Sequence, residues 1–304
     1  MKSIRASILP VILIAAILAG CKTTEMLTKV GTSVGVATGK ISTEQAESIN
    51  KGAAAVGKAF EQLTPEQEYY IGRSVAATIL ASYKPFDHAA ATRYINTIGK
   101  ALALSSDKPE TFGGWHFLIM DTDEINAFAT PGGFILISRG MLRCCRNEDE
   151  LAAVLAHEVG HVQLEHGLRA IKKSRWTSAF TILGAETAKN MGGKQLAELT
   201  TAFEGAITDV TGEMVNSGYA RTLEYEADAA AITIMNRIGY NPSGLANMLT
   251  EMGRRLEKDT RGFAKTHPDP KDRVKDINRQ IGTPSPVADF PARQARFDKA
   301  LAGI

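Results

Sequence analysis

Apolar and polar positions follow a helical rhythm through most of this 304-residue chain and a β-like one in a single short stretch. Thr64, Pro65, Glu66 and Gln67 make a strong helix start, with threonine as cap and proline at the first helical position, and that helix runs on to about Leu80. A second helix fits Ala90 to Leu104. Between Trp115 and Leu142 two apolar runs rich in β-formers flank the turn signal Thr130-Pro131-Gly132-Gly133, which predicts a β-hairpin or two neighbouring strands. Asn147, with Glu150 three residues on, resembles a capping box and opens a helix that carries His157 and His161. Residues 171–220 read as helical and alanine-rich. A further helix covers Arg221 to Tyr240, stopped by Gly239 and Asn241-Pro242, and Thr266 to Ile281 reads as a turn and a last helix. Helices dominate around one small sheet, so the expected fold class is α+β, mainly helical.

The amino terminus has a different character. Lys2 and Arg5 precede an apolar run from Ile8 to Ala19. That run is shorter than the roughly 20 residues a bilayer span needs, but it suits the core of a secretory signal. Leu18-Ala19-Gly20-Cys21 resembles the lipobox of bacterial lipoprotein signal peptides. The resemblance implies cleavage after Gly20 and lipid on Cys21, giving a membrane anchor at that residue. Lys22 follows, where an aspartate would suggest retention at the inner membrane. The expectation is an envelope protein tethered to the outer membrane and facing the periplasm. The organisation is then a signal peptide at 1–20, a lipidated tether with an N-terminal helix at 21–62, the main domain at 63–285 and a tail at 286–304. Cys144 and Cys145 are sequence neighbours, which rarely meet disulfide geometry, so packed or free thiols are expected.

Composition adds an exclusion. The chain is 44% hydrophobic and 22% charged with a net charge of +2, and it lacks the clustered basic excess of a nucleic-acid binder.

The chemistry concentrates in the helix after Asn147. His157 and His161, four residues apart, project from one face, with Glu158 between them. This is H-E-x-x-H, in which two imidazoles bind zinc and the glutamate serves as general base. His166 lies about 140° around a continued helix from that face, so it reads as a surface or second-layer residue and not a ligand. The missing ligand should be a carboxylate on another helix, and Glu224, Glu226 and Asp228 are the candidates. Glu224, Ala227, Asp228 and Ala231 share one stripe of small residues that can approach another helix closely, whereas Glu226 points to the other side. Glu224 is therefore the expected ligand. Asp228 is expected to orient a ligand histidine through its free ring nitrogen.

These residues, with Arg221-Thr222-Leu223-Glu224 upstream of Asp228, His267-Pro268 with Arg273, and Asn126 to Gly133, resemble the HtpX-like and CAAX-prenyl-protease-like zinc endopeptidases over about residues 63–280. The resemblance implies a zincin-like metallopeptidase domain holding one zinc ion per chain through His157, His161 and Glu224, with Glu158 as catalyst. It also implies Arg221 beside the ligands, and His267 beside the cleft as a second donor to the developing oxyanion. The likeness is to a periplasmic lipoprotein branch associated with quality control of envelope proteins. The expected partners are therefore polypeptide substrates of the envelope and outer-membrane assembly proteins. The chain departs from the multi-span members, because nothing after residue 20 reads as such a span.

The expected function is a zinc metalloendopeptidase cleaving misfolded or misassembled envelope proteins. Extended substrate would pair with the strand at Asn126, Ala127 and Phe128. The alternative is a zinc-stabilised chaperone or scaffold that binds such proteins without cutting them. The length and glycines of 171–220 would permit a mobile lid.

Overall fold

The helix starts explain much of the architecture. The computed structural model describes residues 64–169, most of 204–256, 270–282 and 290–304. The signal peptide, Cys21, the tether, His267 and most of the segment read as a lid lie outside the described residues. Helix α1, Pro65–Ser82, begins with a reciprocal box: Thr64 Oγ1 accepts from the Gln67 N–H, and Gln67 Oε1 accepts from the Thr64 N–H. Helix α2, Ala89–Leu104, is capped by His88, whose Nδ1 accepts from the Ala91 N–H.

Three strands follow, β1 at His116–Met120, β2 at Ala127–Thr130 and β3 at Phe134–Ser138. Their spatial order is β1-β3-β2. The antiparallel β2–β3 pair is a hairpin whose turn uses positive φ at Gly132 (72°) and Gly133 (91°), the region glycine enters without steric cost. Strand β1 adds a parallel neighbour on the other side of β3. A short helix α3, Arg139–Leu142, leads to α4, Glu148–Gln163. Asn147 caps α4 by accepting from the Glu150 N–H at 2.9 Å, but Glu150 turns its carboxylate to Arg146, so only half of the expected box forms.

Every residue of α4 from Glu148 to Val162 is buried, which makes it the axis of the core. Around it pack α2, β2, α6 (Arg221–Ile238) and α7 (Ser243–Leu256), with a single-turn α5 (His166–Arg169) at its carboxyl end. Gly239, at φ 78°, ends α6 in the left-handed cap its sequence predicts. Helix α7 was not among the expected elements, yet Leu245, Met248, Leu249 and Met252 carry a helical stripe and are buried. Cys144 and Cys145 are free, buried thiols in this core. Helix α8, Pro270–Ile281, packs on α6 and α7.

The carboxyl-terminal stretch is more than a tail, since it contains helix α9, Pro291–Ala300. Phe297 is buried, Arg293 pairs with Asp149 at 3.2 Å, and Arg296 pairs with Glu148. Glu148 also accepts from the hydroxyls of Tyr94 (2.6 Å) and Tyr240 (2.9 Å). Buried acids at the amino end of α4 suit its dipole, and the arginines of α9 balance their charge. The described residues are mainly helical with a small mixed sheet, and they belong to one compact unit, Leu63–Lys172 with Glu204–Ile304. None of the described helices is long and apolar enough to cross a membrane.

Candidate metal centre

The site is built where α4 meets α6, and small residues make the meeting close. A Cβ placed on Gly160 would stand 3.0 Å from the Ala227 carbonyl oxygen and 3.2 Å from the Ala230 Cβ. Across this seam His157 and His161 of α4 face Glu224 of α6. Each Nε2 lies 3.5 Å from a Glu224 carboxylate oxygen, and the two Nε2 atoms are 3.0 Å apart. One ligand atom from each residue can be chosen so that all lie within 4.8 Å of one another, and all three residues are buried.

This donor set fits a zinc ion. Two imidazole nitrogens and one carboxylate are the ligands zinc takes in hydrolytic sites, with a position left open. Charge points the same way. Among the described residues, Glu158, Glu224 and Asp228 are buried together against one buried guanidinium, that of Arg273, so a divalent cation would balance the remainder.

Protonation in the metal-free protein reflects that imbalance. Burial and Arg273 push His157 down, but hydrogen bonds to Asp228 and Glu224 and the charge of Asp228 outweigh them and hold it at about 9. Burial takes His161 down to about 3, with Glu224 opposing. Burial lifts Glu158 to about 7, against the pull of His157. A proton on His157 thus stands in for part of the charge that a metal would bring.

Asp228 Oδ1 lies 3.0 Å from His157 Nδ1, the ring nitrogen turned away from Glu224. Arg273 grips the same carboxylate with Nε (2.8 Å) and Nη2 (2.6 Å) and reaches Glu224 Oε2 with Nη1 at 3.0 Å. Arg221 is not brought to this cluster. It sits on the exposed first turn of α6 and pairs with Asp272 at 3.1 Å, so the arginine beside the candidate ligands is Arg273 from α8. The sequence motif contained Arg273 but gave no sign of its reach, which depends on how α8 docks.

Of the two places expected for His166, the surface and a second layer, the structure gives the second, and the side chain is buried. Helix α4 stops at Gln163, Glu165 takes a left-handed φ of 57°, and the chain turns back so that His166 Nδ1 lies 2.9 Å from His161 Nδ1. The angle reckoned along a continued helix does not apply past that break. Glu226 points away from Glu224 yet meets the other nitrogen of His166 at 3.2 Å, and Arg169 at 2.9 Å.

Asn126, Ala127 and Phe128 are buried, in or beside β2, which packs against α4. The Ser138 N–H donates to the Asn126 carbonyl, so the alternation turns the backbone groups of Ala127 and Ala129 to the edge away from β3 and those of Phe128 inward to β3. The Ala127 N–H is already taken by Asn126 Oδ1 at 2.9 Å.

Comparison with known proteins agrees with this geometry. Residues 89–281 match the description "Peptidase family M48". Among similar proteins, the beta-barrel assembly-enhancing protease of Yersinia pestis is 28% identical over 76% of this chain and 46% of its own length. The mitochondrial metalloendopeptidase OMA1 of Schizosaccharomyces pombe is 28% identical over 67% of this chain and 55% of its own. Metalloprotease YcaL of Escherichia coli (strain K12) is 25% identical over 55% of this chain and 63% of its own. The chain thus spans about half the length of the first two of these relatives. The match is to the family as a whole and does not single out its HtpX-like or prenyl-protease-like members. Since the matched segment covers more than half of the sequence and contains His157, Glu158, His161, Glu224 and Asp228, the chain belongs to peptidase family M48.

Proposed function

We propose that this chain is a zinc-dependent endopeptidase of the bacterial cell envelope, tethered through lipid on Cys21 and acting on misfolded or misassembled envelope proteins. The family and the names of its relatives support the class, metalloendopeptidase. The observation that carries the reading is the convergence of His157, His161 and Glu224 on one buried point, with Glu158 buried beside them.

In this reading His157, His161 and Glu224 hold one zinc ion. Zinc, when bound, polarises the scissile carbonyl and acidifies a water. Glu158 takes the proton of the attacking water and delivers it to the leaving amine, a role that burial favours by raising its proton affinity towards neutrality. Asp228 accepts from the His157 ring and keeps its Nε2 towards the site, while Arg273 holds both Asp228 and Glu224 in place. Substrate pairs in an extended form with the edge of β2 away from β3, where Ala129 turns its N–H and carbonyl. Ala127 joins the pairing once the Asn126 side chain gives way. His267 is the proposed second donor to the oxyanion.

The name of the Yersinia relative, which speaks of β-barrel assembly, supports envelope proteins as the substrate class and assembly proteins as partners. Metal analysis followed by casein cleavage with and without a chelator tests the core of the reading. One zinc per chain with cleavage lost on chelation is the expected result. One zinc per chain with casein left intact would instead favour the zinc-stabilised scaffold.

A further inference from the structure

Both proposed ligand histidines need something on the ring nitrogen that faces away from the metal. For His157 that partner is Asp228. For His161 it is another histidine, and the geometry leaves one way to place the protons. His161 Nε2 faces Glu224 and His157, so as a ligand it must be unprotonated there, and the ring carries its hydrogen on Nδ1. That N–H points at His166 Nδ1, 2.9 Å away, which must then accept. His166 in turn carries its hydrogen on Nε2 and donates it to the Glu226 carboxylate at 3.2 Å, and Arg169 holds that carboxylate from outside at 2.9 Å.

We propose that His166, backed by Glu226 and Arg169, is the positioning residue that fixes the ring and tautomer of His161 for metal binding. The inference rests on the zinc reading above. Both ring nitrogens of His166 are engaged, one by His161 and one by Glu226, so neither is left to join the ligands itself. The chain pays for the placement with a left-handed Glu165, a conformation uncommon for a side-chain-bearing residue. The single turn of α5 is also tightly seated, since a Cβ on Gly167 would stand 3.2 Å from the Pro131 ring. Tyr219 closes the other side, its ring stacked on His161 with centroids 4.5 Å apart and set edge-on to His166. Each ligand histidine is thus backed by a carboxylate, directly from Asp228 for His157 and through one intervening imidazole from Glu226 for His161.

The test uses the full chain and three variants, His166→Asn, His166→Leu and Glu226→Gln. Asparagine keeps an acceptor oxygen near the place of Nδ1, whereas leucine fills similar space without one. Zinc affinity is read by competition with a chromophoric chelator, and site geometry by the absorption bands of the cobalt(II)-substituted protein. His166→Leu should bind zinc about 10- to 100-fold more weakly and shift the cobalt bands, and His166→Asn should recover most of the loss. Equal affinity in the leucine and asparagine variants, at the wild-type level or below it, overturns the inference. Should the leucine variant fail to fold, Glu226→Gln decides from the solvent-facing end. A several-fold faster loss of zinc supports the relay, and wild-type zinc retention with unchanged cobalt bands overturns it. Wild-type protein that takes up no zinc removes the metalloprotease reading and the relay together. Wild-type protein that binds zinc and cleaves casein, with variants that bind it equally well, removes the relay alone.

Discussion

Gly160 on α4 and Ala227 on α6 stand so close that even a methyl group at 160 would lie only 3.0 Å from the Ala227 carbonyl oxygen, at the seam where Glu224 faces the two histidines. A side chain at 160 would gain up to about 1 kcal/mol of helix propensity over glycine. Overpacking against the Ala227 carbonyl should outweigh that gain for anything larger than alanine. Gly160→Val is therefore expected to lose about 1–3 kcal/mol of stability and to hold zinc poorly. Denaturant unfolding and metal content check both, and a variant that keeps full zinc content and stability would show the seam to be slack.

Glu158→Gln should abolish casein cleavage while leaving zinc content and melting temperature close to wild type. Glutamine preserves size but cannot accept the proton from water. Retention of more than a few per cent of the activity in protein free of contaminating protease would remove Glu158 as the base.

Zinc bound as proposed would displace a proton from His157. With that residue at about 9 in the metal-free protein, zinc affinity should rise with pH, approaching tenfold per unit between about pH 7 and 9. Calorimetric titration at pH 7.5 in buffers of different ionisation enthalpy should show about one proton released per zinc. The same raised value has a stability consequence for the metal-free protein. His157 contributes stability that is whole below its unfolded value of 6.5 and is lost as pH rises through about 9. Melting temperatures of chelated protein across that window should fall with rising pH.

Among the described residues Arg273 is the buried guanidinium that faces Asp228 and Glu224. Arg273→Met should destabilise the metal-free protein by about 3–5 kcal/mol, because it strands buried carboxylates. Zinc should restore part of that loss. Unfolding curves with and without zinc separate the two contributions, and equal loss in both conditions would mean that the guanidinium acts only by packing.

Much of this arrangement was readable before any coordinates. Spacing alone places His157 and His161 on one face, and the small stripe of Ala227 and Ala231 marks the helix surface able to approach them. What spacing cannot supply is where a helix breaks or how distant helices dock. Glu165 ends the periodicity on which the reading of His166 rests, so spacing leaves open the surface and a second layer, and the break puts the residue in the second layer, buried behind His161. Arg221 and Arg273 both accompany the motif, and only the docking of α8 decides which one turns inward. Helix α7 follows Asn241-Pro242 so directly that the stop signal obscured its own buried stripe.

The docking of α9 has a consequence in time. Glu148, at the start of the helix that carries His157 and His161, is balanced by Arg296, 148 residues later in the chain. A polypeptide made from its amino end therefore exposes the entire H-E-x-x-H segment long before the partner of its first turn exists. Until then a glutamate destined for burial lacks its counter-charge, so the first turn of α4 gains its full set of partners only once α9 has docked.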